Sequence, residues 1–304
     1  MIKTIFLSLL LIVSTLSAKE IALTFDDAPM PSTKHFTSEA RTKKLIKKLK
    51  DLKVPPVMIF ANPCKRDDTA SVVAQLKKYT DAGHFIGNHT CTHPRLDDVG
   101  YDVFSKDAEK ADKILRPLFK GKTVYFRFPY LNEGKDVEIQ KKMRGWRRLN
   151  GYQDGYVSVD DDDYVFSQTI NQAKDAGKKI DYKKVESLFV KHVMGAVNFY
   201  DDLAVKTLGR SPKHVLLLHE MDATVLFVDA LVKELRAQGW TIISIEDAYK
   251  DTLYVEMPEN TYANNGIVAQ MATEKTGEKI GYNHYDDLKA ELNKLLNLKF
   301  TDSK

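Results

Sequence analysis

Short apolar runs alternate along the chain with longer stretches in which apolar residues recur at helical spacing. The short runs predict seven strands, and the longer stretches predict helices that connect them. The strands are predicted over residues 21–25, 57–60, 84–89, 123–128, 156–159, 214–218 and 241–245. The helices are predicted over residues 37–52, 69–82, 97–118, 136–149, 182–208, 223–238 and 285–298.

Strands that alternate with helices predict an α/β fold made of parallel βα units. About seven parallel strands favour a (β/α) barrel, with an open doubly wound sheet as the alternative. In both architectures functional groups are expected at the carboxyl ends of the strands. The alternation stops at residue 251, and the helix near the C-terminus is interpreted as an extension that packs on the same domain.

The N-terminal segment has the pattern of a secretory signal peptide. Lys3 precedes an apolar run over residues 5–13, and small residues follow up to Ala18. The run is too short to span a membrane comfortably. The chain is therefore predicted to comprise a signal peptide (1–18), one domain (19–250) and a C-terminal extension (251–304). It is expected to be exported, periplasmic or secreted, without stable membrane insertion after cleavage.

Composition excludes some classes of function. The 304 residues are 43% hydrophobic and 29% charged, which is ordinary for a globular protein. The net charge of +4 is small, and the basic residues are scattered, which argues against a nucleic-acid-binding surface. The oligomeric state is left open by these numbers.

Two adjacent carboxylates, Asp26 and Asp27, follow the first predicted strand. Neighbouring side chains at a strand end point in different directions, so one could bind a metal while the other faces a substrate. A simple turn before Pro29 is the alternative interpretation. The two acids need partners from elsewhere in the chain to form a site.

Candidate partners follow the later strands. His89 ends the third predicted strand and His93 follows it, and with one carboxylate they form the ligand set of a catalytic zinc site. Arg127 follows the fourth strand and could hold a carboxylate in a bidentate pose, or form an ordinary surface ion pair. The acidic run of residues 160–163 could equally be a solvated loop. His219 lies at the end of the sixth strand.

Several other catalytic motifs are incomplete or absent. His219 and Glu220 begin an HExxH pattern, but position 223 is Ala, so a zincin helix is excluded. The sequence has no G-x-S-x-G elbow, no P-loop and no G-x-G-x-x-G pattern.

Five motifs in order resemble those of the polysaccharide deacetylases, the family-4 carbohydrate esterases with a NodB-like domain. They extend over about residues 20 to 250 and leave the signal peptide and the C-terminal extension outside the resemblance. The motifs are T-F-D-D (24–27), H-T-x-x-H (89–93), R-x-P-Y (127–130), D-x-x-D-Y (160–164) and L-x-H (217–219).

The resemblance implies a distorted (β/α) barrel that hydrolyses acetyl groups on glycans with one divalent metal, usually Zn²⁺. A water activated by the metal would attack the acetyl carbonyl. The amine nitrogen would be protonated as its bond to the acetyl carbon breaks. By this resemblance, Asp27, His89 and His93 would bind the metal. Asp26 would be the general base, oriented by Arg127, and His219 would be the general acid, with its charge controlled by Asp163 (or Asp160). The backbone N–H of Tyr130 would bind the oxyanion, and Leu217 would form the wall of the acetyl pocket.

The chain departs from the family pattern at two positions that bear on the shape of the substrate groove. Ala28 replaces the usual Gly, and Tyr164 replaces the usual Trp.

The only two cysteines, Cys64 and Cys91, could pair in an exported protein or be free thiols. The resemblance places Cys91 between the two metal-binding histidines, where a disulfide to Cys64 would tie down that loop.

The sequence therefore predicts a metal-dependent deacetylase of N-acetylglucosamine units in peptidoglycan, a chitin-like polymer or an exported polysaccharide. One alternative is a hydrolase of the same fold that acts on O-acetyl esters or on C–N bonds outside sugars. An alternative of another class is an inactive glycan-binding protein of the cell envelope.

Overall fold

The computed structural model describes residues 19–121, 123–255 and 258–298. The predicted signal peptide lies outside the described residues. A sheet of seven parallel strands forms the centre, in the order β5-β4-β3-β2-β1-β6, with β7 paired to β1. The strands are β1 (Glu20–Ala28), β2 (Met58–Ala61), β3 (Phe85–Asn88), β4 (Val124–Phe126), β5 (Tyr152–Asp154), β6 (Lys213–His219) and β7 (Thr241–Ile242).

Helices surround the sheet, and several begin at the side-chain caps that their sequences favour. Thr37 accepts a hydrogen bond at the start of α1, and Asp136 does so at the start of α4. The helices are α1 (Ser38–Asp51), α2 (Thr69–Asp81), α3 (Leu96–Leu115), α4 (Val137–Leu149), α5 (Tyr164–Asp175), α6 (Tyr182–Leu208), α7 (Asp222–Ala237), α8 (Ile245–Ala248), α9 (Gly266–Thr276) and α10 (Tyr285–Leu295).

The predicted distorted (β/α) barrel with about seven parallel strands and a C-terminal helix is confirmed. The chain beyond β5 returns to β6 through a single parallel bridge between Val159 and Leu216, which brings the two edges of the curled sheet together. Residues of β1 and β6 are almost wholly buried, which explains their continuous apolar runs.

The predicted fifth strand over residues 156–159 was wrong in position. The strand that pairs with β4 is Tyr152–Asp154, and residues 156–159 contribute only the bridge at Val159. Residues 156–159 are buried because they pack inside the barrel, and not because they form a full ladder of backbone hydrogen bonds with a neighbouring strand. Helices α5, α8 and α9 also lie where the sequence pattern did not predict them, and the predicted seventh strand over residues 241–245 ends at Ile242, before α8 begins.

The C-terminal extension packs on the helices of the barrel. Helix α9 lies against α6, and α10 lies against α5 and α6. Apolar side chains of both helices, including Ile267 and Leu292, are fully buried in the main core. Across the described residues, no helix is both long and apolar enough to cross a membrane.

Candidate active site

Parallel strands place their carboxyl ends at one edge of the barrel, and the motif residues meet there. Asp26 and Asp27 lie within the last residues of β1, opposite His219 at the end of β6. His89 follows β3 directly, and Arg127 follows β4. These residues line or border one cavity of about 430 Å³, a volume typical of ligand pockets.

Asp27, His89 and His93 form a cluster that could hold a metal ion, with one donor atom of each within 4.8 Å of the others. Asp27 Oδ1 lies 3.3 Å from His93 Nε2 and 3.9 Å from His89 Nε2. Asp27 Oδ1 is buried, and the Lys65 ammonium lies 2.8 Å from it. A buried carboxylate oxygen that faces an ammonium group and two imidazole nitrogens is suited to coordinate a cation.

Hydrogen bonding and burial leave both imidazoles ready to act as ligands. The Nδ1–H of His89 donates to the carbonyl oxygen of Arg127 at 2.8 Å, which leaves Nε2 with its lone pair toward the cluster. Burial lowers the pKa of His89 well below its ordinary value, and burial lowers the pKa of His93 to about 4. Both rings are therefore neutral at pH 7, as metal ligation requires.

Asp26 lies beside this cluster but is held by different partners. Arg127 donates from Nη1 to Asp26 Oδ1 at 2.6 Å, and the other oxygen lies 3.5 Å from His89 Nε2. Burial raises the pKa of Asp26 to about 6, although the Arg127 guanidinium opposes the shift. A carboxylate with a pKa just below neutrality is ionised at pH 7 yet can accept a proton.

Arg127 is fixed by contacts on every side. It donates to the Thr24 hydroxyl at 2.8 Å and to the Gly155 carbonyl at 2.7 Å, and its guanidinium stacks 3.9 Å from the centre of the Phe60 ring. Only 1% of the residue is exposed. The alternative of a surface ion pair is thereby excluded for this arginine.

The structure pairs His219 with Asp163 and not with Asp160. His219 Nδ1 lies 2.6 Å from Asp163 Oδ1, and the other carboxylate oxygen accepts from the His219 backbone N–H at 3.0 Å. Burial would lower the pKa of His219, but the Asp163 carboxylate raises it to about 9. Asp160 lines the cavity instead, and burial raises its pKa to about 7.

The backbone at the cavity adopts left-handed conformations that residues other than glycine rarely adopt. Asp27, His93 and Tyr130 have φ of 72°, 64° and 59°. The Tyr130 ring lies 4.5 Å from the His93 ring, and its side chain is half exposed at the cavity mouth. Leu217 lines the same cavity, as does Tyr164, whose ring meets His219 edge-on at 5.6 Å.

Cys64 and Cys91 form a disulfide, and among the described residues no cysteine is free. The bond joins the segment after β2 to the loop between His89 and His93. It also places Lys65, which the sequence analysis did not single out, against Asp27. A lone lysine next to a cysteine carries no recognisable signal, so this contact was not predictable.

Other cavity-lining residues were also missed. Gln168 comes from α5, Met221 follows β6, and Asn264 comes from the C-terminal extension. None of the three belongs to a motif with a fixed chemical role. Their side chains approach the site only because distant segments pack around it.

The family model of the polysaccharide deacetylases matches residues 14–146 of the chain. A peptidoglycan-N-acetylglucosamine deacetylase of Bacillus cereus is 24% identical over 237 residues, which cover 76% of this chain and 68% of that protein. The similarity to the Bacillus cereus protein covers more of this chain than the family model does.

Solved structures share the fold. Peptidoglycan deacetylase PdaC of Bacillus subtilis is 21% identical, with a TM-score of 0.51 over 77% of this chain and 91% of that one. A CE4-family pseudoenzyme of Bacillus anthracis is 17% identical, with a TM-score of 0.52 over 76% of this chain and 66% of that one. The match to the family model confirms the resemblance to the polysaccharide deacetylases that the five motifs indicated.

Proposed function

We propose that this chain is a metal-dependent hydrolase that removes N-acetyl groups from N-acetylglucosamine units of a glycan. One observation carries the proposal. Asp26, held by Arg127, lies in one cavity with the Asp27–His89–His93 cluster and with the Asp163-paired His219. Amide hydrolysis needs a base, an acid for the leaving amine and a means to stabilise negative charge. Asp26 and His219 would supply the first two, and a cation held by the Asp27–His89–His93 cluster would supply the third.

The residues present fit a divalent metal, most simply Zn²⁺. Asp27, His89 and His93 offer one carboxylate and two neutral imidazoles, which is the donor set of catalytic zinc sites with open positions. When bound, the cation would supply Lewis acidity, which acidifies a water and polarises a carbonyl oxygen.

Proton transfer falls to the two residues on either side of the cluster. Asp26 accepts a proton from the attacking water, and Arg127 keeps its carboxylate aimed at the site. His219, kept protonated by Asp163, then donates a proton to the amine nitrogen as the C–N bond breaks. The amine is a poor leaving group until it is protonated, so this donor is essential.

Tyr130 and Leu217 are assigned to binding the acetyl group. The backbone N–H of Tyr130 is proposed to donate to the developing oxyanion. Tyr130 has a left-handed backbone conformation, with φ of 59°. Leu217, only 5% exposed at the cavity wall, is proposed to contact the acetyl methyl group. Tyr164 is proposed to contact the sugar beside His219.

The substrate class is proposed from the named relatives and from the predicted export. Peptidoglycan is proposed first, because the Bacillus cereus relative and the PdaC structure are both named as peptidoglycan deacetylases. Residues 19–250 are proposed to form the catalytic domain, exported to the periplasm or the outside of the cell after removal of residues 1–18. Residues 251–304 are proposed to pack on that domain.

The test is acetate release by the zinc-loaded protein from peptidoglycan, chitooligosaccharides, poly-N-acetylglucosamine and acetylxylan. We expect release from at least one N-acetylated glycan and its loss after chelation. Full activity after exhaustive chelation would contradict metal dependence. Activity on acetylxylan alone would favour an O-acetyl esterase. Ring opening of cyclic amides, followed in a separate assay, with no acetate release from any glycan would favour a hydrolase acting outside sugars.

A second candidate function is kept because a structural neighbour is named as a pseudoenzyme. An inactive glycan-binding protein would bind one of the same glycans tightly and release no acetate. The filled catalytic positions, Asp26, Arg127 and His219 together, favour the enzyme.

A further inference from the structure

A second cavity, of about 540 Å³, adjoins the catalytic cavity. The two share Asp160, Asp162, Tyr164 and Asn264 in their walls. The remaining lining of the second cavity comes from the C-terminal extension, including Tyr282 and Tyr285. A linear substrate that passes through the catalytic cavity can therefore continue into an adjoining cavity that the extension borders.

The extension is held firmly enough to form part of a binding site. The Arg144 guanidinium donates to the Pro258 carbonyl at 2.9 Å, and the Ile267 N–H donates to the Val157 carbonyl at 2.8 Å. At Gly266 (φ +80°) a Cβ would lie 2.8 Å from the same carbonyl, so the close approach requires glycine.

Tyr282 is anchored on the barrel side of the extension. Its hydroxyl donates to the His192 carbonyl at 3.3 Å, and its ring lies 5.3 Å from the His192 ring. Tyr285 begins α10 and stays 36% exposed. One aromatic residue is thus fixed and a second is accessible at the same cavity.

The lining has the chemistry that recognises a sugar. The exposed ring of Tyr285 offers a flat apolar face, and the amides of Asn264 and Asn265 both donate and accept hydrogen bonds. The carboxylates in the wall accept hydrogen bonds from hydroxyl groups. An apolar ligand would leave these polar groups unsatisfied, whereas a ring with hydroxyl groups on its edge would pair with them.

We propose that the C-terminal extension forms a second glycan subsite, which binds the sugar next to the one that loses its acetyl group. The inference deepens the proposed function and rests on it for the identity of the polymer. It assigns the extension a role in selecting longer glycan chains. Tyr285 is proposed as a specificity-determining residue of this subsite.

The experiment compares the N-acetylglucosamine monosaccharide, which cannot reach the second subsite, with the pentasaccharide, using the full zinc-loaded chain. We expect Tyr285→Ala to lower the ratio of kcat/KM for the pentasaccharide to that for the monosaccharide about three- to tenfold, the loss typical of one aromatic contact. Asn283→Ala, at a second exposed position that lines only this cavity, should lower the ratio in the same direction. Lys294→Ala, exposed on the same helix but outside the cavity, should leave it unchanged.

Direct binding separates failure of this inference from failure of the proposed function. If the wild-type chain releases no acetate but binds the pentasaccharide, and Tyr285→Ala weakens that binding about three- to tenfold, the subsite stands and the proposed activity falls. An unchanged ratio with unchanged binding in Tyr285→Ala would overturn the subsite. A wild-type chain that does not bind the pentasaccharide would overturn it as well. Unaltered thermal unfolding of the variants excludes a folding defect.

Discussion

Asp26 and Asp27 are neighbours in sequence, yet their surroundings shift their pKa values in opposite directions. Burial raises the pKa of Asp26 to about 6 despite Arg127. Burial would also raise the pKa of Asp27, but the Lys65 ammonium holds it well below its usual range. The difference follows from which cations each carboxylate faces, and it suits one group to accept protons and the other to bind a cation.

This division predicts different losses in two variants. Asp27→Ala removes a proposed ligand, so we expect zinc affinity to fall at least about 100-fold and activity to be lost with it. Asp26→Asn removes the base alone, so acetate release should fall about 10²- to 10⁴-fold while bound zinc is kept. Metal content and acetate release, measured on the same samples, check both. Equal loss of zinc in the two variants would contradict the assignment.

Lys65 is predicted to weaken metal binding. Its ammonium lies 2.8 Å from Asp27 Oδ1, where it competes with a cation for that oxygen and repels it. We expect Lys65→Met to bind zinc about tenfold more tightly, a change of about 1.4 kcal/mol. Titration against a zinc indicator measures the affinity.

Lys65→Arg keeps the charge and serves as the matched control, which should retain the wild-type affinity. Weaker zinc binding in Lys65→Met would show that Lys65 supports the site.

The charge of His219 is predicted to set the alkaline limit of activity. The proposed acid must be protonated, and its pKa is about 9, so kcat/KM should fall as pH rises through about 9. In Asp163→Asn only the weaker effects of Asp27 and Asp26 oppose burial, so the pKa of His219 should fall from about 9 toward its ordinary 6.5. A pH profile of kcat/KM should therefore show the alkaline limb moved to lower pH. If the alkaline limb of the profile stays at the same pH in Asp163→Asn, a group other than His219 sets the alkaline limit of activity.

At the scale of elements, one covalent bond connects two loops that form the site. The disulfide joins the segment after β2 to the loop after β3, 27 residues apart in sequence. The second loop is also held by Asp107 of α3, whose carboxylate accepts from the N–H groups of Cys91 and Thr92 at 2.7 and 2.9 Å. The loop that carries both histidines is thus anchored from two sides.

We predict that Cys64→Ala/Cys91→Ala lowers the free energy of unfolding by about 3–4 kcal/mol, because a closed loop of this length restricts the unfolded chain. Urea unfolding measures the change. The wild-type chain under reducing conditions should lose a similar amount. Equal stability of the oxidised wild type and the double variant would contradict the prediction.

At the scale of the whole molecule, the barrel and the extension meet at close backbone contacts. A Cβ on Gly195, inside α6, would collide with the Tyr282 side chain, whereas a Cβ on Gly145, inside α4, would meet nothing within 4 Å. The two glycines therefore form a matched pair for testing how the extension docks.

We expect Gly195→Ala to lower the free energy of unfolding by about 1–2 kcal/mol, since overpacking outweighs the gain in helix propensity. Gly145→Ala should raise it by about 0.5–1 kcal/mol. Thermal or urea unfolding checks both signs. A stabilised Gly195→Ala variant would show that Tyr282 moves aside without cost.

Much of this molecule was predictable because the information is local. Apolar runs and helical spacing predicted the parallel βα units, since each strand buries both faces and each helix buries one. The order of the five motifs indicated the family, and the rule that parallel strands end at one edge predicted that Asp26, His89, Arg127 and His219 converge. Residue type alone suggested their chemistry.

Tertiary structure decided what depends on distances between residues far apart in sequence. It selected Asp163 over Asp160 as the partner of His219, moved the fifth strand to Tyr152–Asp154, and placed Lys65 beside Asp27. It also brought Asn264 of the extension to the cavity wall. These outcomes arise because contact energies and burial act through space, and no spacing within one segment encodes which distant segment will lie against it.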